Sequence, residues 1–295
     1  MSHGFARTGL ASIRVPVSSG AWIRPTEWLA LPTVSPGDQK IAMLVAVFNT
    51  TNYLAFSVSG NYTVDWGDGT APTNYTAGTT AQKALAWSDY SPSTLTSTGY
   101  RQAVVTITPQ SGQNLTSVNL NVRHTTPTVA HTTGVLDMVV GGPYISTLSP
   151  NTSNVTYRML RQFEWVGTCP ITDFTNMFAY CSALSSVSLD TSAGTNFYSM
   201  FSGCSALSSV TLDTSAGTNF TQMFYGCSSV ASVTLTGCKY SVSIAGCVLS
   251  STALDALYTS LGTAAGSQTI TVSGNYGTTG DSPSIATSKG WTVSG

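Results

Sequence analysis

Residues 181–191 read CSALSSVSLDT, and residues 204–214 read CSALSSVTLDT, so nearly the same stretch returns after 23 residues. Aligning the chain at this period brings seven apolar columns into register over three copies. The columns are Phe174, Phe197 and Phe220; Met177, Met200 and Met223; Phe178, Phe201 and Phe224; Cys181, Cys204 and Cys227; Leu184, Leu207 and Val230; Val187, Val210 and Val233; and Leu189, Leu212 and Leu235. One such coil cannot bury its own apolar face, so the pattern predicts a solenoid of stacked coils.

Each copy divides into two kinds of segment. SSVSLDT, SSVTLDT and ASVTLTG alternate polar and apolar residues, which predicts a stacked strand. NMFAYC, SMFSGC and QMFYGC are expected to form the opposite, turn-like wall. Stacked cysteines in a chain without CxxC pairs indicate buried, reduced thiols rather than a zinc site, with disulfides as the alternative.

The repeats resemble BspA-type leucine-rich-repeat proteins, whose copies carry the MFxxCxxLxxVxL pattern found at Met177–Leu189 and Met200–Leu212. The third copy departs from the pattern because Thr236 stands where the earlier copies have Asp190 and Asp213. A continuous acidic ladder for a metal or a sugar is therefore not expected. The predicted solenoid spans residues 134–250 and is clearest over 174–236.

A cap is predicted at residues 251–295. Leu254, Leu257, Tyr258 and Leu261 share one face of a helix over Thr252–Gly262, with Gly262 as its stop. The later stretches QTITVSGN and GWTVSG predict closing strands. Terminal coils of a solenoid need such a cap.

The N-terminal half predicts a β-sandwich over residues 38–124, followed by a linker over 125–133. IAMLVAVF, YLAFSV, YTVDWG, AVVTITP and SVNLNV are short β-rich runs separated by turn residues. The stretch VDWGDGT at Val64–Thr70 resembles the signature of PKD-like domains, an immunoglobulin-like family, and this resemblance implies a spacer or adhesion module. Asp65 and Asp68 are expected to cap the turn, with Ca²⁺ binding as the alternative.

An extended arm is predicted at residues 1–37, because four prolines exclude a long helix there. Its apolar side chains are expected to dock on a neighbouring subunit, although packing against its own domain is the alternative. The docking residues are Trp22, Ile23, Trp28, Leu29 and Leu31.

Composition excludes several classes of function. Only 8% of residues are charged and the net charge is -1, which argues against nucleic-acid partners. The longest apolar run, Ile41–Phe48, is too short for a membrane span, and no secretory signal peptide is recognisable. The histidines form no catalytic constellation, and no nucleotide-binding motif is present. We therefore expect no catalytic residues, no cofactor and no metal.

The sequence thus predicts a mainly β fold with an extended arm, a PKD/Ig-like sandwich, a leucine-rich-repeat solenoid and a helix/strand cap. The combination, with the closing string IATSKGWTVSG, resembles virion components of tailed bacteriophages. That resemblance implies a structural or attachment protein of the tail or fibre rather than a capsid decoration. It would be made in the host cytoplasm, form a homo-oligomer and contact other virion proteins through the arm. The alternative is a bacterial cell-surface adhesin, with Tyr180, Tyr198 and Tyr225 as contacts to a host protein or glycan.

Overall fold

The computed structural model of the chain describes residues 22–50, 52–127, 131–149 and 155–295. Residues 1–21 of the predicted arm and 128–130 of the predicted linker lie outside these ranges. Within them the chain is mainly β, as predicted, and its α-helices are α1 (Ser251–Ser260) and α2 (Ser284–Thr287).

The N-terminal half forms two antiparallel sheets that share one core. Its strands are β1 (Lys40–Val47), β2 (Asn52–Ser59), β3 (Tyr62–Asp65), β4 (Thr73–Tyr75), β5 (Thr80–Leu85), β6 (Arg101–Pro109) and β7 (Ser117–Asn119). One sheet contains β1-β6-β3-β4 and the other β7-β2-β5. Met43 of β1 and Phe56 of β2 are both fully buried in the core between the sheets. All five β-rich runs noted in the sequence form strands.

The strands of the second half begin with a direct continuation of the first sheet. They are β8 (His131–Thr132), β9 (Val135–Gly141), β10 (Thr147–Ser149), β11 (Val155–Thr156), β12 (Gln162–Val166), β13 (Ser186–Ser188), β14 (Ser209–Asp213) and β15 (Ser232–Thr236). β9 pairs antiparallel with β1, placing Met138 opposite Met43, and β12 and β13 follow in parallel. The two halves therefore share a seven-stranded sheet, β13-β12-β9-β1-β6-β3-β4.

β1 can occupy the centre of this sheet because it is apolar on both faces. Its odd-numbered residues, such as Met43, face the core between the sheets, whereas Leu44 and Ala46 face the opposite side. A strand buried on both faces reads as a continuous apolar run rather than an alternating one. The segment KIAMLVAV satisfies that requirement.

The second half is a β-solenoid of about 7 turns. β14 and β15 pair in parallel, with Val210 opposite Val233 and Leu212 opposite Leu235, so the predicted strand wall is present. Two phenylalanine stacks fill the interior. Phe197 lies between Phe174 and Phe220 with ring centroids 5.4 and 5.3 Å away. The stack of Phe178, Phe201 and Phe224 has spacings of 5.6 and 5.8 Å.

The wall opposite the strands, which we call the turn wall, comprises residues 173–180, 196–203 and 219–226. Its alternate N–H groups donate to the next coil: Phe174 to Asn196 O at 2.8 Å and Phe178 to Met200 O at 2.8 Å. The intervening N–H groups close local turns, as in the bond from Met177 to Phe174 O at 3.1 Å. Both sets of backbone donors are thereby satisfied without helix or regular strand.

The C-terminal cap contains both helices and the strands β17 (Gln268–Thr271) and β18 (Trp291–Ser294), which extend a sheet begun by β16 (Val242–Ser243) in the solenoid. Helix α1 buries Leu254, Leu257 and Tyr258, as its spacing predicts. Gly262 differs from the prediction, because the helix ends at Leu261 in an extended conformation. A Cβ on Gly262 would lie 2.9 Å from Gly237 O, so this glycine permits close packing rather than a left-handed cap.

Candidate functional site

A column of left-handed residues runs along the turn wall and continues beyond residue 226 into the next two coils, where the Gly246 N–H donates to Ser273 O at 2.8 Å. Its members directly precede Cys181, Cys204, Cys227, Cys247 and Asn275, which lie in successive coils. The left-handed column consists of Tyr180 (φ 61°), Gly203 (77°), Gly226 (74°), Gly246 (74°) and Gly274 (77°). Four of its five members are glycines, as expected for a conformation that disfavours a Cβ.

The glycines also allow adjacent coils to approach closely. A Cβ on Gly226 would lie 3.6 Å from the Cα of Gly203, and one on Gly274 would lie 3.4 Å from the Cα of Gly246. The glycines of the column therefore present bare backbone, without side chains, along the outside of the solenoid.

Tyr180 is the exception in this column. It has the same left-handed backbone as the glycines, and its N–H donates to Ser202 O at 2.6 Å. Its side chain is 61% exposed, and its ring lies beside Gly203. A non-glycine residue in this region is strained by roughly 1–3 kcal/mol. The fold therefore keeps an exposed tyrosine where glycine would be easier to accommodate.

Two further tyrosines border the left-handed column. Tyr225, which directly precedes Gly226, is 71% exposed, and Tyr276, two residues after Gly274, is 47% exposed. Tyr198 is 36% exposed but lies in another register, where its hydroxyl contacts Gln222 Oε1 at 3.4 Å. The three tyrosines predicted as receptor contacts are thus all on the surface, and that role stays a prediction. Sequence analysis missed Tyr276 because it lies outside the 23-residue period.

The surface around the column carries few charges. Over residues 174–276 the sequence contains four charged residues, Asp190, Asp213, Lys239 and Asp255. Asp190 and Asp213 cap turns, accepting hydrogen bonds from the N–H groups of Ser192 and Ser215 at 3.0 Å. Those bonds from Ser192 also lower the pKa of Asp190.

The six cysteines lie beneath the surface and are all buried. Cys204 Sγ donates to Phe178 O at 3.0 Å, and Cys227 Sγ to Phe201 O at 3.1 Å. Asn275 continues this column in the cap, because its Nδ2 donates to Ile244 O at 3.0 Å. Burial raises the pKa of Cys227 to about 12, so the thiol stays protonated. Among the described residues, no group of three or more His, Cys, Asp or Glu is placed to hold a metal ion.

The described part of the predicted arm packs against the chain's own sheet. Trp28 is 6% exposed, and its Nε1 donates to the Tyr100 hydroxyl at 2.9 Å. Trp22, Leu29 and Leu31 pack around the same cluster, which includes Leu44 and Leu136 of the sheet. Ile23, in contrast, is 83% exposed. Of the five predicted docking residues, four therefore pack against the chain's own sheet, and Ile23 faces outward.

An ion pair holds this segment in place. Arg24 Nε donates to Asp137 Oδ2 at 2.7 Å, and its Nη2 donates to Leu29 O at 2.6 Å. Asp137 is 2% exposed, and burial raises its pKa despite the opposing effect of Arg24. Its Oδ1 has no hydrogen-bond partner among the described residues.

The VDWGDGT stretch forms a tight turn, as predicted. Asp65 accepts from the Gly67 N–H at 2.9 Å, and Asp68 accepts from the Thr70 N–H at 3.1 Å and forms an ion pair with Lys83. Both aspartates are therefore engaged in capping the turn.

The described helices are too short or too polar to cross a membrane. A comparison with protein-family models matches residues 174–269 to the BspA type leucine rich repeat region, in six copies. Searches of curated proteins and of solved structures gave no match. The match extends beyond residue 250, where the sequence predicted the solenoid to end. Residues 174–269 are therefore a BspA-type leucine-rich-repeat region carried on a β-solenoid, a fold that is typically a non-enzymatic binding scaffold.

Proposed function

We propose that the chain is a non-enzymatic binding protein of the surface or adhesion type, which contacts an external partner through the turn wall. The observation that carries this proposal is Tyr180, a largely exposed side chain on a strained, left-handed backbone. The left-handed non-glycine residues at positions 176, 199 and 222 recur in three successive coils and belong to the repeat itself. Tyr180 differs from them because the equivalent positions of the other coils are glycines, and isolated strain of this kind is typical of functional sites. The repeat architecture supports the same proposal, since solenoids offer extended surfaces for recognition.

We also propose that the N-terminal half is a spacer of the PKD-like, immunoglobulin-like type. The shared sheet supports this role, because β9 of the first coil is hydrogen-bonded along the length of β1. A solenoid attached in this way is held at a fixed orientation instead of swinging on a linker.

The setting we propose is a phage particle, with the chain in the tail or fibre rather than on the capsid. The resemblance of the joined units to virion components supports this setting. A bacterial cell-surface adhesin is the alternative, and the turn wall would serve both. Immunogold labelling separates them: labelled purified phage particles support the first setting, and labelled bacterial envelopes support the second.

For attachment to other virion proteins, we propose that the arm is the anchor, with exposed Ile23 among its contacts. Because Trp28 covers the chain's own sheet, the informative truncation removes residues 1–21 and leaves 22–37 in place. Loss of co-sedimentation with scaffold proteins, with unchanged thermal stability, supports the anchor. Equal co-sedimentation of the wild type, the truncated chain and a truncated chain that also carries Ile23→Ala contradicts it.

Adsorption of the labelled chain to bacterial cells and to phage particles tests the binding role itself. The triple variant Tyr180→Ala, Tyr225→Ala and Tyr276→Ala should lose adsorption. Tyr144→Ala is the matched control, because Tyr144 is 54% exposed but lies outside the turn wall. Equal adsorption of wild type and triple variant would rule out the turn wall as the binding surface.

A further inference from the structure

We propose that the left-handed column and its three tyrosines bind a neutral, extended polysaccharide that lies along the solenoid axis. This inference rests on the proposed binding function and names the class of its ligand. The contacts would be the rings of Tyr180, Tyr225 and Tyr276 over a floor of bare backbone.

The floor has the shape that a flat polymer requires. Gly203 and Gly226 carry no side chains, and their backbones pack closely enough that a Cβ on Gly226 would lie 3.6 Å from the Cα of Gly203. A chain of pyranose rings can therefore approach the backbone directly. The exposed serines at equivalent positions in three coils, Ser182, Ser205 and Ser228, supply hydroxyls along one side of this floor.

Consecutive tyrosines lie two coils apart along the axis, because Tyr180 is in the coil of Cys181, Tyr225 in that of Cys227 and Tyr276 in that of Asn275. Within their coils they differ in position: one residue before Cys181, two before Cys227 and one after Asn275. Paired strands are about 4.8 Å apart, so the axial component of each step is roughly 10 Å. Because a pyranose ring in an extended chain advances by a distance close to one coil rise, every second sugar would come level with a tyrosine.

The chemistry of the surface favours a sugar over other polymers. A pyranose ring presents C–H groups on its faces and hydroxyls at its edge, which matches exposed aromatic rings flanked by serines. Nucleic acids require Lys or Arg, and over residues 174–276 the sequence contains a single one, Lys239. Protein contacts concentrate their binding energy in desolvated pockets rich in Trp, Tyr and Arg, whereas these tyrosines stand on an open floor.

Isothermal titration calorimetry with neutral oligosaccharides of increasing length tests the proposal on the full chain. The probes are β-1,4-linked glucose and N-acetylglucosamine oligomers, and α-1,4-linked glucose oligomers, which coil rather than extend, are the comparison. Affinity for the extended probes should rise with length until the oligomer covers the four coil rises from Tyr180 to Tyr276, about 19 Å along the axis, and then level off. Each single Tyr→Ala change should weaken binding about tenfold.

Two control variants identify the site. Tyr144→Ala removes a tyrosine that is 54% exposed but lies outside the turn wall, and it should leave affinity unchanged. Ser205→Leu places a bulky, non-aromatic side chain beside the floor without altering a tyrosine, and it should weaken binding. The thermal stability of both variants is compared with that of the wild type, so that a loss of binding caused by unfolding is not attributed to the site.

The remaining outcomes overturn the inference in distinguishable ways. If no probe binds but the chain adsorbs to cells in a manner that requires the three tyrosines, the proposed binding function stands and the polysaccharide inference fails. If oligosaccharides bind equally to the wild type and to the triple tyrosine variant, the site lies elsewhere. If neither oligosaccharides nor cells are bound, the proposed function fails as well.

Discussion

Tyr180 and Gly203 occupy equivalent positions in successive coils, with φ angles of 61° and 77°. The ring of Tyr180 lies so close to Gly203 that a Cβ on Gly203 would be 3.0 Å from Tyr180 Cδ1. The ring of Tyr180 therefore fits only because residue 203 in the next coil is a glycine. At position 180 itself, a glycine would adopt the left-handed backbone with less strain than the tyrosine.

We predict that Tyr180→Gly raises the free energy of unfolding by up to about 1 kcal/mol, because left-handed backbone costs a non-glycine residue about 1–2 kcal/mol. Tyr225→Gly is the matched control: Tyr225 is similarly exposed but does not have a positive φ, so glycine there should lower stability. Thermal unfolding of both variants measures the contrast. A loss of stability in Tyr180→Gly as large as that in Tyr225→Gly would show that Tyr180 serves packing rather than binding.

The Arg24–Asp137 pair gives a second prediction. Arg24→Ala should lower the free energy of unfolding by about 3–5 kcal/mol, because it leaves a buried carboxylate without its partner. The double change Arg24→Met and Asp137→Leu removes both charges and should recover most of that loss. Urea unfolding followed by tryptophan fluorescence measures all three chains. Wild-type stability of the Arg24→Ala chain would contradict a structural role for the ion pair.

The stability of the chain is predicted to decrease in acid because of two histidines, His124 and His131, at the junction between the sandwich and the solenoid. The ring of Tyr53 lies 4.8 Å from that of His124 and 6.1 Å from that of His131. Burial lowers the pKa of both imidazoles below the ordinary 6.5, and His124 and Arg123 lower that of His131 further. As the pH falls below 6.5, the unfolded chain binds protons before the folded chain does.

Stability should therefore be constant above about pH 7 and decrease as the pH falls below about 6.5. The double variant His124→Asn and His131→Phe removes both titrating groups. Asn keeps a polar side chain at position 124, and Phe keeps a flat ring at position 131. Thermal unfolding between about pH 5 and 8 should show a flatter profile for this variant. Identical profiles would assign the acid sensitivity to other groups.

The cysteine column predicts unreactive thiols. Burial raises the pKa of Cys169, Cys227 and Cys247 to about 12 and that of Cys238 to about 11. Because the thiolate is the reactive form, the native chain should react very slowly with a thiol-specific reagent near pH 8, and all six thiols should react after unfolding. Ser205→Cys, at an exposed position of the same wall, should add one fast-reacting thiol. Fast labelling of the wild-type chain would contradict a closed interior.

Local sequence was sufficient to predict the repeat, because the same apolar residue types recur at one period. Phe174, Phe197 and Phe220 stack within 5.4 Å, and the cysteines are buried beside them. The period fails in the later coils, since Cys227 and Cys247 are 20 residues apart and Cys247 and Asn275 are 28 apart. That change of spacing hid Gly246, Gly274 and Tyr276, although the glycine directly before Cys204, Cys227 and Cys247 was a usable signal for the first of them.

Long-range pairing could not be predicted in the same way. The bulged pairing of β1 with β9 joins segments almost 100 residues apart, and nothing in either strand specifies its partner. The use of Trp28 was also ambiguous, because an apolar side chain on a proline-rich segment packs equally well on its own sheet or on another subunit. Tyr100, which supplies the hydroxyl for the Trp28 indole, lies 72 residues away.

The near identity of residues 181–191 and 204–214 has a consequence for inheritance. Unequal recombination between two such similar coding segments removes or adds one whole 23-residue coil, and the joined ends still meet in the correct register. Each event would change the length of the solenoid by one strand spacing, about 4.8 Å, without disturbing the core of either neighbour. It would also change the axial distance between Tyr180 and Tyr225 by that step. Proteins encoded by descendants of this gene would then differ in the spacing of these two tyrosines through the number of coils alone.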